Sequence, residues 1–553
     1  HIPIYRILHQ GKEEVGQQAQ EDHRYPFAGA ENPHVKLGVV NVDSKDISWM
    51  DLGSDKDIYL ARVDWMCDGT LTAQIENRSQ TVLDLMTFDI NSGHATLLLK
   101  ELSTVWINLH NLFTSFFRPQ DKSTVYFLWG SERSGFMQLY LYQRNTGSGT
   151  VTCANDGAAL TMPHGVVECI AGISVERNVL YFYSTGGNES APPGSDLYAT
   201  PLFQDKSKGT IGCQVKITKK SGYHVGSMNR ALTHFVDISS SINSPPVTTL
   251  NELPAAFMTG DSIAKVAQAG AEATMMSVKE VAKNVVTETW QSALRTPSLD
   301  SFKTVSGHEL HAAVYQPDPA KWGDGPYPCI VCVYGGPHVQ LVKNNWNTRV
   351  NMRAQSFCSR GYVVLMVDNR GSARRGLSFE GEIYRRMGTV EVEDQVAGVK
   401  WLITKGLADA NRIGVYGWSY GGYMSLMCLM QAPEVFHVAV SGAPVTHWDG
   451  YDTHYTERYM GLPTENATGY KNGSVMEHVK HMKGDLMLIH GLIDENVHAR
   501  HSFRLINAMI AARKPYHLFL LPNERHSPRS FSDRVYMEEQ IFAFFQTHLG
   551  KKI

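Results

Sequence analysis

Residues 414–427 read GVYGWSYGGYMSLM. Within them, Gly417-Trp418-Ser419-Tyr420-Gly421 sets a serine between glycines at G-x-S-x-G spacing. A serine hydroxyl attacks a carbonyl only when a base takes its proton and a carboxylate orients that base. The pattern is short enough to recur by chance, so its surroundings carry the weight. The apolar run RIGVYG precedes it and GGYMSLMCLMQ follows. Ser419 is therefore predicted on a sharp strand-to-helix turn that exposes its hydroxyl, and acid and base should follow in that chain order. Asp494 comes after the apolar run DLMLIHG. It is predicted at a strand's carboxyl end, where sites on α/β sheets gather. His526 comes next, after YHLFLL, in the loop LPNERHSPR. The alternatives are a loop-capping carboxylate and a solvated histidine. Of the competing histidines, His490 is expected within a strand, and His498 and His501 in the next helix.

An oxyanion needs two donors. One is expected from the backbone N–H of Tyr420, just after the nucleophile. The other is expected from the loop Val333-Tyr334-Gly335-Gly336-Pro337, where the Tyr334 hydroxyl could serve or the ring could simply be buried. The aromatic stretch from Ala443 to Tyr459 fits either a specificity pocket or a helix packed on the core; spacing does not choose between them.

The elements that must position these groups follow two rhythms. Up to about residue 250, short aromatic and β-branched runs are broken by Gly, Asn, Asp and Ser, as in TVYFLWGSERSGFMQLYLYQR (124–144). That pattern predicts an all-β array such as propeller blades, with a sandwich as the alternative. Residues 263–295 are rich in Ala, Lys, Glu and Met and are expected to be helical, within a connecting segment over 251–300. From 301 to 553, continuous apolar runs alternate with helical stretches near 388–405, 498–513 and 533–548. This predicts an α/β domain with a mostly parallel sheet.

Bulk properties narrow the function. The chain has 553 residues, more than one core usually serves, which suggests two domains. A net charge of −3 gives no reason to expect nucleic acid or an anionic membrane as partner. No run of 18 apolar residues is present. The opening HIPIYRILHQGKEEVG lacks a Met and a signal-peptide pattern and starts inside a strand-like run, so further sequence is expected before it. Eight cysteines are scattered, most in apolar runs. Cys329 and Cys332 have C-x-x-C spacing, but on a buried strand they point to opposite faces, and no second pair completes a zinc set. They read as reduced hydrophobes of a cytoplasmic protein, with no metal or cofactor. Sequons start at Asn77, Asn188, Asn466 and Asn472.

GWSYGGY, APVTHWDGYDTHYTERYMGLP, HGLIDENVH and PNERHS together resemble the dipeptidyl peptidase IV branch of the prolyl oligopeptidase family. YGGPHVQLV and PNERHS look most like its cytosolic members, dipeptidyl peptidases 8 and 9, or a plant or bacterial relative. The resemblance is dense over 300–550 and thinner earlier, as in HRYPFAGAENP. It implies a β-propeller, here incomplete, followed by an α/β-hydrolase domain. It implies release of N-terminal dipeptides after a penultimate Pro or Ala, by acyl-enzyme chemistry without a cofactor. It assigns Ser419, Asp494 and His526 as the triad and Tyr334 and the Tyr420 amide as oxyanion donors. Val445, Trp448, Tyr451, Tyr455 and Val497 resemble the walls of the proline pocket, and Asn496 the amide that holds a substrate carbonyl. Homodimers are also implied.

One departure stands out. The family anchors the substrate ammonium with two adjacent glutamates on a short propeller helix. Glu13-Glu14 and Glu538-Glu539 are the pairs here, and neither has that aromatic setting; Glu13 and Glu14 read as a solvated hairpin loop. Two alternatives follow. One is an endopeptidase, acylaminoacyl peptidase or esterase of the same fold. The other is a non-catalytic propeller scaffold for protein partners.

Overall fold

The computed structural model describes residues 2–550 except 187–191, 193, 208, 271–275 and 284–291. The sequon at Asn188 lies outside the described residues. Residues 58–283 form four successive four-stranded antiparallel sheets, spanning 58–102, 114–153, 167–216 and 223–283. Strand alternation decides how they stack. In the second sheet, Val125, Phe127 and Trp129 turn toward Leu83 and Leu85 of the first. Their neighbours Tyr126 and Leu128 turn toward Leu180 and Phe182 of the third. Tyr181, Tyr183 and Leu197 of the third then meet Phe235 and Leu253 of the fourth. The second and third sheets are thus each buried on both sides by their neighbours.

The stretch 263–295 departs from expectation. Among the described residues, a helix covers Gly260–Gln268, capped by Thr259, whose side chain accepts from the Ser262 N–H, and residues 292–293 are helical again. Met276–Lys283 is a strand that pairs antiparallel with Ser244–Glu252 and completes the fourth sheet. Helix propensity there is a weak preference, and an unpaired strand edge offers a full row of backbone partners. Lys279 and Glu280 are exposed on the resulting edge, where charge discourages further pairing. Residues 271–275 and 284–291 of the stretch lie outside the described set.

The second domain is built on one eight-stranded sheet. Its strands are β1 (Ser298–Lys303), β2 (Glu309–Tyr315), β3 (Tyr327–Cys332), β4 (Val363–Asp368), β5 (Ala408–Trp418), β6 (Val438–Gly442), β7 (Asp485–Gly491) and β8 (His517–Leu521). Their order is β1-β2-β4-β3-β5-β6-β7-β8. β1 and β2 join antiparallel, and β3 to β8 run parallel. Two cores cover the faces. Cys329, Val331 and Val415 pack with the helices Val390–Thr404 and Tyr420–Gln431. Cys332, Ile330 and Tyr416 pack with the closing helix Phe531–Leu549. The two cysteines therefore face opposite sides of the sheet. All eight cysteines are free.

A hairpin of Ile4–Leu8 and Gln20–Arg24 reaches across to this second domain. The ring of Tyr5 stacks on His498 at 3.6 Å. Phe27 bridges to Asp452, and the Ala28 N–H donates to the Tyr451 carbonyl at 2.9 Å.

Candidate active site

Ser419 sits between the end of β5 and the helix Tyr420–Gln431, with φ 60° and ψ −118°. That left-handed backbone is strained for a non-glycine residue. The strain comes from close packing on both sides. A Cβ on Gly417 would fall on the Gly421 carbonyl, one on Gly421 on the Val333 carbonyl, and one on Gly422 on the Gly442 carbonyl. Glycines at these positions let the turn press against β3 and β6. The Ser419 N–H donates to Gly442 O at 2.8 Å, and Ser419 itself is half-buried.

Asp494 follows β7 and His526 follows β8, so all three groups lie at carboxyl ends of the parallel strands, with β6 between the strand of Ser419 and that of Asp494. His526 Nδ1 lies 2.8 Å from Asp494 Oδ2. The other carboxylate oxygen accepts the N–H groups of Asn496 and Val497, each at 2.9 Å. Asp494 is buried. Burial pushes its carboxyl up, but hydrogen bonds from His490 and His526 prevail and hold it at about 2. It therefore stays ionised at any ordinary pH and orients the imidazole by its Nδ1–H. Trp418 ties His526 to the elbow, with its Nε1–H donating to the His526 carbonyl at 2.8 Å. His490 lies within β7, as its apolar run predicts, and is bonded to Val497 O and Ser502 Oγ at 2.7 Å each. His501 belongs to the helix Arg500–Ala511, whereas His498 precedes that helix and packs under the hairpin.

The Tyr420 amide opens the helix Tyr420–Gln431, where the first N–H groups have no partner within the helix. The tyrosine's hydroxyl donates to Glu391 Oε1 at 2.7 Å, and Glu391 also accepts the Gly388 and Thr389 N–H groups. Glu391 thus anchors the helix start; no sequence pattern singled it out. Tyr334 lies in the loop after β3, its ring 6.0 Å from that of Tyr420. Asn369 holds this loop by donating to the Gly335 carbonyl at 2.9 Å. Burial raises the Tyr334 phenol above its ordinary value, so it remains a proton donor.

The aromatic stretch resolves into a short turn, Trp448–Gly450, and a helix, Thr453–Met460, capped by Asp452. Trp448 and Tyr455 stack at 6.2 Å, and Tyr451 meets Tyr455 edge-on at 5.3 Å. Tyr420 adds a fourth ring, 5.5 Å from Trp448. Val445 and Val497 are buried, and Val445 belongs to the same core cluster as Trp448. Asn496 joins this group through its Oδ1, which accepts from the Tyr451 hydroxyl at 2.6 Å. From the other domain, the Tyr25 hydroxyl donates to the Asn496 carbonyl at 3.1 Å. The glutamate pairs stay away from this cluster: Glu13 and Glu14 are exposed on the hairpin turn, and Glu538 pairs with Arg353.

Two family models match the chain, "Dipeptidyl peptidase IV (DPP IV) N-terminal region" over residues 1–246 and "Prolyl oligopeptidase family" over 348–552. The chain belongs to the prolyl oligopeptidase family. Its four sheets are blades of the family's β-propeller region, and the eight-stranded domain is its α/β-hydrolase. Mouse dipeptidyl peptidase 8 is 31% identical over 99% of this chain. Bovine prolyl endopeptidase FAP is 26% identical over 92%. The chain spans 65% of the length of each of these two relatives. A solved structure titled as a dipeptidyl aminopeptidase IV of Bacteroides ovatus superposes with TM-score 0.84 at 27% identity, covering 99% of this chain and 74% of the other. Among the described residues, no helix is long and apolar enough to cross a membrane, and no group of three or more His, Cys, Asp or Glu could hold a metal ion.

Proposed function

We propose that this chain is a serine peptidase that releases N-terminal dipeptides from peptides with Pro or Ala in the second position. Ser419 attacks the carbonyl, His526 takes and returns the proton, and Asp494 keeps the imidazole in the right tautomer. The Tyr420 amide and the Tyr334 hydroxyl receive the oxyanion. Trp448, Tyr451, Tyr455, Val445 and Val497 wall a pocket for a flat apolar ring, and Asn496 holds a substrate carbonyl. The observation that carries this reading is the 2.8 Å His526–Asp494 bond tied by Trp418 to the strained Ser419 elbow. The similarity to dipeptidyl peptidase 8 supports the dipeptide specificity, and the free cysteines suit a cytoplasmic protein. A homodimer is part of the proposal by analogy with the family.

The test compares chromogenic amides of Gly-Pro and N-blocked Gly-Pro. Faster turnover of the free dipeptide is expected. Equal turnover would replace the dipeptidyl assignment with an endopeptidase, acylaminoacyl peptidase or esterase. No turnover of either, from folded protein, would leave the scaffold reading.

A further inference from the structure

Arg525 and Glu21 have no part in the chemistry above, yet they touch it from both sides. Arg525 directly precedes His526, and Glu495 directly follows Asp494. The Arg525 guanidinium donates through Nη1 to Glu495 Oε2 at 3.0 Å and to the Ile493 carbonyl at 3.4 Å. Through Nη2 it donates to Glu21 Oε1 at 2.7 Å. A second bridge therefore joins the loops of the base and the acid, one residue from the His526–Asp494 bond on each side. Its third anchor comes from the N-terminal hairpin. Glu21 is itself held, with Oε1 2.7 Å from His9 Nε2 and Oε2 3.0 Å from His23 Nε2. Its carboxyl sits at about 2, held down chiefly by the bond from Arg525.

We propose that Arg525 is a positioning residue that sets the separation of the His526 and Asp494 loops, and that Glu21 of the hairpin holds Arg525 in place. The proposal rests on the reading of Ser419, Asp494 and His526 as a triad. These ion pairs are partly exposed, and such pairs add little to stability and weaken with salt. Geometry is the more sensitive quantity: a displacement of about 1 Å at a catalytic group can cost two orders of magnitude in rate. The clamp should therefore show in turnover rather than in melting temperature, and it makes hairpin docking a control on the triad.

The full chain and its variants would be assayed for Gly-Pro-amide hydrolysis and for the rate of Ser419 labelling by a fluorophosphonate. Arg525→Ala is expected to lower kcat and the labelling rate about tenfold, with KM within about twofold. Arg525→Lys should recover part of the loss, since one ammonium cannot serve both acids as the guanidinium fork does. Glu21→Gln should cost about threefold, and the double variant Glu21→Gln/Arg525→Ala should equal Arg525→Ala alone. Unchanged kcat in the variants, a change confined to KM, or strictly additive losses would overturn the clamp. If Arg525→Ala does not fold, Arg525→Lys and Glu21→Gln decide alone. A wild type that neither turns over nor labels sinks the triad reading and the clamp with it. An active wild type with indifferent variants sinks only the clamp.

Discussion

Ser419 is held under backbone strain. At φ 60° and ψ −118° a serine is held where only glycine rests easily, at a cost of about 1–3 kcal/mol. Ser419→Gly should therefore raise the melting temperature by a few degrees while abolishing turnover and fluorophosphonate labelling; calorimetry and the labelling gel measure the two effects. Asp494 makes a different trade. Its folded value of about 2 lies below the ordinary carboxylate value, so its charge stabilises the fold above about pH 4. That contribution is lost as pH falls from about 4 to about 2. Urea unfolding of wild type and Asp494→Asn at pH 7 and pH 2.5 should show a difference that shrinks by about 2 kcal/mol in acid. At neutral pH, Asp494→Asn should cost about 10⁴ in kcat, because the imidazole loses its orienting acceptor.

The elbow works because a strand, a turn and a helix approach one another without side chains between them. Gly421→Ala would drive a methyl onto the Val333 carbonyl, the segment that leads into Tyr334. Backbone must then shift, so both Ser419 and the loop that carries Tyr334 move. Turnover should fall more than a hundredfold and the melting temperature should drop, whereas alanine at the exposed Gly147, where a Cβ would meet only Asn145 Oδ1 at 3.4 Å, serves as a mild control. How much of this the sequence discloses follows from how local each constraint is. Parallel strands buried on both faces write themselves as apolar runs, and the order of Ser419, Asp494 and His526 along those runs is legible without a structure. The strand Met276–Lys283 is not, because what makes it a strand is the open edge of Ser244–Glu252, not its own composition. Glu391 was equally silent: an acid near a helix start looks like an ordinary cap until the Tyr420 hydroxyl is seen to bond it. Arg525 and Glu21 are 504 residues apart in the chain, beyond the reach of any spacing argument.

The propeller and the hydrolase meet along a polar seam, and the seam bears on the pocket. Asn108 of the propeller side donates from one nitrogen to both Glu132 and Glu380, at 3.0 Å each, tying the second blade to the loop after β4. Nearer the site, Glu457 lies on the helix that carries Tyr455. Its carboxylate is buried and accepts a forked pair of bonds from Arg78 of the first blade, at 2.7 and 2.8 Å, together with the Gly29 N–H at 2.7 Å. Arg78 also bonds Asp57 and the Ala30 carbonyl, so it stays fixed if Glu457 changes. Glu457→Gln keeps the shape but replaces an acceptor-only group with one whose NH₂ must face Arg78 in either orientation, and the Gly29 N–H as well if it takes the place of Oε1. The half-buried guanidinium then loses half of its fork to the buried acid. By the usual penalty for breaking one side of a buried pair, about 3 kcal/mol of stability should go. Because the break lies under the Tyr455 helix and away from Ser419, KM for Gly-Pro amides should rise several-fold while the rate of Ser419 labelling by a small fluorophosphonate holds. If both fall together, the seam would be acting on the triad itself and not on the pocket, and the first blade would be a wall of the catalytic centre instead of a support for its binding site.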